Sequence, residues 1–158
     1  MTSSFFPFSI AAGIIVTAAS SVFAFAGRDV IFRRIGNALL ILGTGASAFG
    51  GIALLVTHAN VVAILPDAAH YGVRLALNPL SATFFSIVNA VACIVSVYAI
   101  RYVDEHNGIY HVPSLGGLTA IFVFGMQGTL LAGSIPMFML AWEMMSLSSF
   151  ALVMADRA

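Results

Sequence analysis

The chain has 158 residues, 61% hydrophobic and 8% charged, where a soluble domain of this length carries roughly 25% charged residues. Its six basic residues are all arginine, they balance six acidic ones, and they form no patch. That excludes the electrostatic footprint of a nucleic-acid-binding protein. One cysteine, Cys93, excludes an intrachain disulfide.

The composition is that of an all-α, polytopic transmembrane bundle of about five spanning helices, forming a single module over residues 1–158. The first span is expected over about 8–26. Ala24-Phe25-Ala26 resembles a signal-peptide cleavage site, but no positive charge precedes the apolar run, which is also longer than a usual signal core. A retained span is therefore expected. Its alanines, Gly13 and Ser20 favour close helix contact. Gly27 to Arg34 forms the first polar break and holds three of the six arginines.

The second span is expected over about 35–57. Ala46 with Gly50, and Ser47 with Gly51, are small residues one turn apart, a pattern for tight packing rather than chemistry. His58 to Asn78 is a longer link. Within it Val61–Leu65 is read as a short buried or interfacial turn that ends at Pro66-Asp67. His70, Tyr71 and Arg74 suit the membrane interface.

The third span is expected over about 79–100, with Pro79 in its first turn and Asn78 as its cap. Asn89 lies deep inside it, where an amide serves mainly to bind helices together. Cys93 reads as a small core residue. The polar stretch Arg101 to His111 includes Asp104, Glu105, His106 and His111, but its spacing fits no fixed metal geometry, so no metal site is expected. The fourth span, about 115–132, has Gln127 as its one strongly polar member. Gly133-Ser134 then turns the chain into a fifth span, about 135–154, antiparallel to the fourth.

Arginine counting sets the expected orientation. Arg28, Arg33, Arg34, Arg101 and Arg157 fall on one side, and Arg74 falls alone on the other. The chain is therefore expected in a cell membrane, the inner membrane of a bacterium, with its N-terminus outside and its C-terminus cytoplasmic.

The fifth span carries the main functional lead. Glu143 lies seven residues after Pro136, roughly 10 Å along the helix. That is well inside a hydrocarbon layer of about 30 Å. Desolvation penalises its charged form, and a nearby cation favours it. A carboxylate between those states can take and release a proton as its surroundings change, which is what a proton relay needs. Met139, Glu143, Ser146 and Phe150 share a face. Ser146 is a candidate to bond Glu143 or to hold a water beside it. The alternative is a glutamate that stays protonated and bonds a neighbouring helix. With no lysine in the chain and no arginine inside an expected span, a buried cationic partner has to come from elsewhere.

Ala141-Trp142-Glu143-Met144-Met145-Ser146-Leu147-Ser148-Ser149-Phe150 resembles the Trp-Glu-Leu-Met-Ser-Leu-Ser-Ser-Tyr block of antiporter-like membrane subunits. These belong to respiratory complex I (NADH:quinone oxidoreductase), to multisubunit Na+/H+ antiporters, and to membrane hydrogenases of the formate hydrogenlyase and hydrogenase-4 type. Arg74-Leu75-Ala76-Leu77-Asn78-Pro79-Leu80-Ser81-Ala82-Thr83-Phe84-Phe85 resembles the family's Arg-Leu-Asp-Pro-Leu-Ser-x-x-Phe-Phe start of the third helix, with Asn78 in place of the aspartate. Tyr98-Ala99-Ile100-Arg101-Tyr102 resembles the end of that helix. The flavour is closest to the hydrogenase-4 group of these membrane proteins.

The resemblance implies a proton- or cation-translocating subunit of a redox-driven complex, with Glu143 in the relay and Ser146 beside it. Asn78, Pro79 and Ser81 would form the helix-start motif. It implies no cofactor in this chain, redox centres in partner subunits, and contacts with those subunits, the lipid bilayer and protons. It covers about the first third or less of a family member, so a fragment or a split gene product is among the expectations. A non-catalytic scaffold role is the other alternative.

Overall fold

The computed structural model describes residues 5–26, 30–57, 61–64, 74–105 and 112–155. They form helices α1 (Phe5–Ala26), α2 (Val30–Thr57), α3 (Pro79–Glu105), α4 (Val112–Leu131) and α5 (Ile135–Ala155). Strands β1 (Val61–Ile64) and β2 (Arg74–Leu77) lie between α2 and α3. The all-α bundle that hydropathy predicts is the fold, with one small hairpin added.

The bundle is arranged for lipid. Phe8, Ile15 and Val22 on α1 point outward at seven-residue intervals, as do Leu42, Phe49 and Val56 on α2 and Leu80, Ile87 and Ile94 on α3. The fully buried residues include Thr17, Thr44, Ser47, Asn89 and Gln127. Apolar residues outside and small or polar ones inside is the pattern for a bilayer, which offers no partner to a polar side chain and no hydrophobic drive between helices. Among the described residues, four helices are long and apolar enough to cross a membrane, and Leu115–Leu131 of α4 is a shorter apolar helix. The protein is a multi-pass α-helical membrane protein.

Glycine sets the closest contact. A Cβ on Gly43 of α2 would lie 2.6 Å from Thr17 Oγ1 and 2.8 Å from both Gly13 O and Thr17 N of α1. The two backbones touch at this crossing because neither side chain exists. The two small pairs of α2 divide between neighbours. A Cβ on Gly50 would meet Ile10 of α1, and one on Gly51 would meet Phe85 of α3. Helix α4 is the central post, packed against α1, α3 and α5. Its Gly125 lies against the backbone of Met145, where a Cβ would sit 2.9 Å from the Met145 nitrogen.

The turn expected at Val61–Leu65 is instead a strand over Val61–Ile64. It pairs antiparallel with β2, with Val61 opposite Leu77 and Ile64 opposite Arg74. The reason lies across the bundle. Leu75 makes a bridge to Ala132, and Gly133 N donates to Arg74 O at 2.8 Å. Arg74 N also donates to Ser134 Oγ at 3.4 Å. The hairpin thus clasps the α4–α5 turn. Leu77 closes the end of the core beside Ile10, Leu54, Phe85 and Leu131. Arg74 and the α4–α5 turn therefore share one end of the bundle, as the alternation of spans requires.

The cap expected at Asn78 is present. Asn78 Oδ1 accepts from Ser81 N at 2.8 Å, and Asn78 O accepts from Ala82 N at 2.8 Å. Pro79 occupies the first helical position, where its missing N–H costs nothing. Asn78→Ala should weaken this terminus by about 1 kcal/mol. The measurement is amide hydrogen exchange at Ser81 and Ala82, which should speed up while exchange in the middle of α3 is unchanged.

Candidate functional site

Helix α5 meets the bundle through one side. Gly128 faces Ala141, Gly125 faces Met145, and Ser148 is buried, donating to the Met144 and Met145 carbonyls. At 100° per residue, Glu143 stands roughly 200° round the helix from Ala141, on the far side. It is exposed, and so are Met139, Ser146 and Phe150. The shared face that the spacing predicts is therefore real, and it points away from the other four helices. Trp142 is also exposed and leans on Phe138, with ring centroids 5.6 Å apart.

The five helices thus do not enclose Glu143, although burial is what its depth in the span suggests. Among the described residues it has no ion-pair or hydrogen-bond partner. Helix α5 has 11% of its membrane-length segment buried, against 44% for α2. Lipid chains can neither pair with a carboxylate nor accept its hydrogen bond, so this face requires a covering group with polar atoms of its own. The capped start of α3, with Asn78, Pro79 and Ser81, stands apart from this face. It joins the hairpin end of the bundle, whereas Glu143 and Ser146 lie one turn apart along α5. His70, Tyr71, His106 and His111 lie outside the described residues.

The structure brings together two amides that the sequence presents separately. Asn89 of α3 and Gln127 of α4 are both 0% exposed, and Gln127 Nε2 donates to Asn89 Oδ1 at 2.5 Å. Gln127 Nε2 also reaches Thr17 Oγ1 of α1 at 3.5 Å. Asn89 Nδ2 donates to Phe85 O at 2.8 Å, and Thr17 Oγ1 donates to Gly13 O at 2.9 Å.

These bonds force each amide's orientation. Phe85 O only accepts, so Asn89 turns its nitrogen there and its oxygen to Gln127. Gln127 must then present nitrogen and keep its oxygen back. Such pairs between membrane helices average about 0.6 kcal/mol, rising to roughly 1–2 kcal/mol. Each amide is visible in the sequence as a polar residue within an apolar run. Their pairing across 38 residues is not.

No protein-family model matches the chain. Over 88 residues it is 39% identical to the uncharacterized protein MT0090 of Mycobacterium tuberculosis (strain CDC 1551 / Oshkosh). It is equally similar, 39% over 88 residues, to the uncharacterized protein Rv0083 of Mycobacterium tuberculosis (strain ATCC 25618 / H37Rv). The matched stretch is 55% of this chain and 13% of each relative. The chain therefore matches a small part of the length of these curated relatives.

Proposed function

We propose that this chain is a membrane subunit, or the first part of one, that moves protons or another cation in a redox-driven complex of the hydrogenase-4, formate hydrogenlyase or NADH:quinone oxidoreductase type. The observation that carries the reading is Glu143, a carboxylate at hydrocarbon depth on a helix face that the bundle leaves uncovered. Ser146 shares that face. Such a carboxylate is costly as a mere structural element and is suited to exchanging a proton with whatever covers it.

The chain supplies no lysine, and Glu143 has no cationic partner among the described residues, so in this reading the partner comes from another polypeptide or from sequence outside these residues. Redox energy released in a partner subunit would alter the charge near Glu143 and drive proton transfer there. The resemblance of the Glu143 block and of the Asn78–Phe85 block to antiporter-like subunits supports the same reading. In this reading the arginine-rich end of the bundle is cytoplasmic.

The test is Glu143→Gln (E143Q) in the intact complex from native membranes, with assembly and ion coupling read separately. Loss of coupling in an assembled complex supports the proposal. Unchanged coupling leaves the scaffold role, with Glu143 protonated and structural, as the answer.

A further inference from the structure

Helices α3 and α4 are joined by the Asn89–Gln127 bond, yet they do not close on each other along their outer side. A slot of about 320 Å³ runs between them there. Buried Ala92, Ser96 and Val123 form its floor. Exposed Ile87, Val91 and Val95 of α3 form one rim, and half-buried Phe122 and Met126 of α4 form the other.

The lining is apolar. Among its residues only Ser96 and Thr119 carry a hydroxyl. Ser96 Oγ donates to Ala92 O at 2.7 Å, and Thr119 Oγ1 donates to Leu115 O at 2.8 Å, so both are spent on their own helices. Water needs several polar partners, and the slot offers too few to hold it. An empty slot would forfeit the contacts of its lining, so hydrocarbon is the filling that the chemistry favours.

Width separates the possible occupants. From Ile87 to Ser96 the slot follows α3 for roughly 14 Å. A volume of about 320 Å³ over that length gives a channel roughly 5 Å across. A helix with its side chains is about 10–12 Å across, so it would ride over the slot and leave the floor uncovered. A single polymethylene chain, whose carbons approach a wall to about 3.5–4.0 Å, can lie on the floor.

Charge gives the occupant a direction. Ser96 and Thr119 mark the end of the slot nearest the end of α3 and the start of α4. Helix α2 begins at that same end of the bundle with Arg34 exposed, and α3 runs on past Ser96 to Arg101. Arginines near the membrane surface attract an anionic headgroup.

We infer that the α3–α4 slot holds one acyl chain of a phospholipid, with the headgroup at the arginine-bearing end. The lipid belongs to the fold and does not exchange freely with the bilayer. The slot is lined by α3 and α4 and by no residue of α5, so the inference does not rest on a transport role for Glu143.

The test uses the full-length protein from native membranes, with any polypeptides that accompany it, in nanodiscs. The probe is phosphatidylglycerol with a diazirine in one acyl chain. The discs are chased with excess unlabelled phosphatidylglycerol before illumination, and adducts are mapped by mass spectrometry. Adducts on Val91, Val95 and Phe122 should survive the chase, while those on the exposed Leu42 and Phe49 of α2 should be lost. Equal loss at both places overturns the inference, because the slot then sees only exchanging bilayer lipid. Slot residues that never take label, chased or not, also overturn it, because another molecule then fills the space.

Val88→Phe gives a second reading. Val88 is half-buried and lines the slot, so added bulk there enters the space the chain would take. This variant should lose the chase-resistant adducts on Val95 and Phe122, and Leu42→Phe should keep them. Adducts that persist unchanged in a folded Val88→Phe protein overturn the inference. If that variant does not fold, the chase on the unaltered protein decides alone.

Discussion

Glu143→Gln is expected to lower ion coupling by about 10²-fold or more, the usual effect of deleting a proton-transfer group, in a complex that still assembles. Glutamine keeps the length, the shape and the hydrogen-bonding capacity of the side chain and removes only its titration. The position makes that separation clean. Glu143 stands on the far side of α5 from Ala141, Met145 and Ser148, which make the contact with α4. No bond inside the bundle depends on it among the described residues, so the fold should not register the change.

A structural role gives the opposite pattern. If Glu143 stays protonated and only bonds a neighbouring subunit, glutamine replaces it with little loss. Glu143→Leu then becomes the damaging variant, and its damage appears in assembly rather than in coupling. Measuring proton movement in vesicles and subunit content by native gel, for both variants, separates the two roles. Ser146→Ala should lower coupling less than Glu143→Gln, since Ser146 lies on the same face but cannot carry the proton charge itself. An equal or larger effect at Ser146 would move the relay away from the carboxylate.

The parts of this structure that are legible in the sequence are those governed by local rules. Apolar runs of membrane length give the helices. The Asn78-Pro79 pair gives the start of α3, since the cap bond runs between residues three apart. The period of 3.6 puts Met139, Glu143, Ser146 and Phe150 on one side of α5.

The parts that are not legible depend on rotation and register between distant segments. Val61–Ile64 is too short and apolar to be told from a turn, and its strand character comes from Arg74–Leu77 and the α4–α5 turn beyond them. Whether Glu143 faces inward or outward is equally hidden, because the polar residues of α5 (Glu143, Ser146, Ser148 and Ser149) are spread round the helix and its orientation is set by Gly125 and Gly128 of α4. Asn89 and Gln127 are each recognisable as helix-binding amides, but nothing local says that one faces the other.

The glycines of α2 make the same distinction measurable. Gly43 and Gly45 sit two residues apart in one helix, and the sequence offers no ground for ranking them. In the structure, a Cβ on Gly43 would lie 2.8 Å from the backbone oxygen of Gly13 and 2.8 Å from the backbone nitrogen of Thr17. Backbone atoms cannot step aside as the tip of a side chain does, so α1 and α2 must separate. Gly43→Ala should therefore destabilise the protein by about 1–3 kcal/mol, the cost of overpacking a close contact. A Cβ on Gly45 would meet Cys93 Sγ at 3.8 Å, an ordinary contact. Gly45→Ala should be neutral, or stabilising by up to about 1 kcal/mol, because alanine is the better helix former. Denaturant unfolding in mixed micelles, run on both variants, reads the difference. Equal stability of the two variants would place the α1–α2 crossing elsewhere than at Gly13 and Gly43.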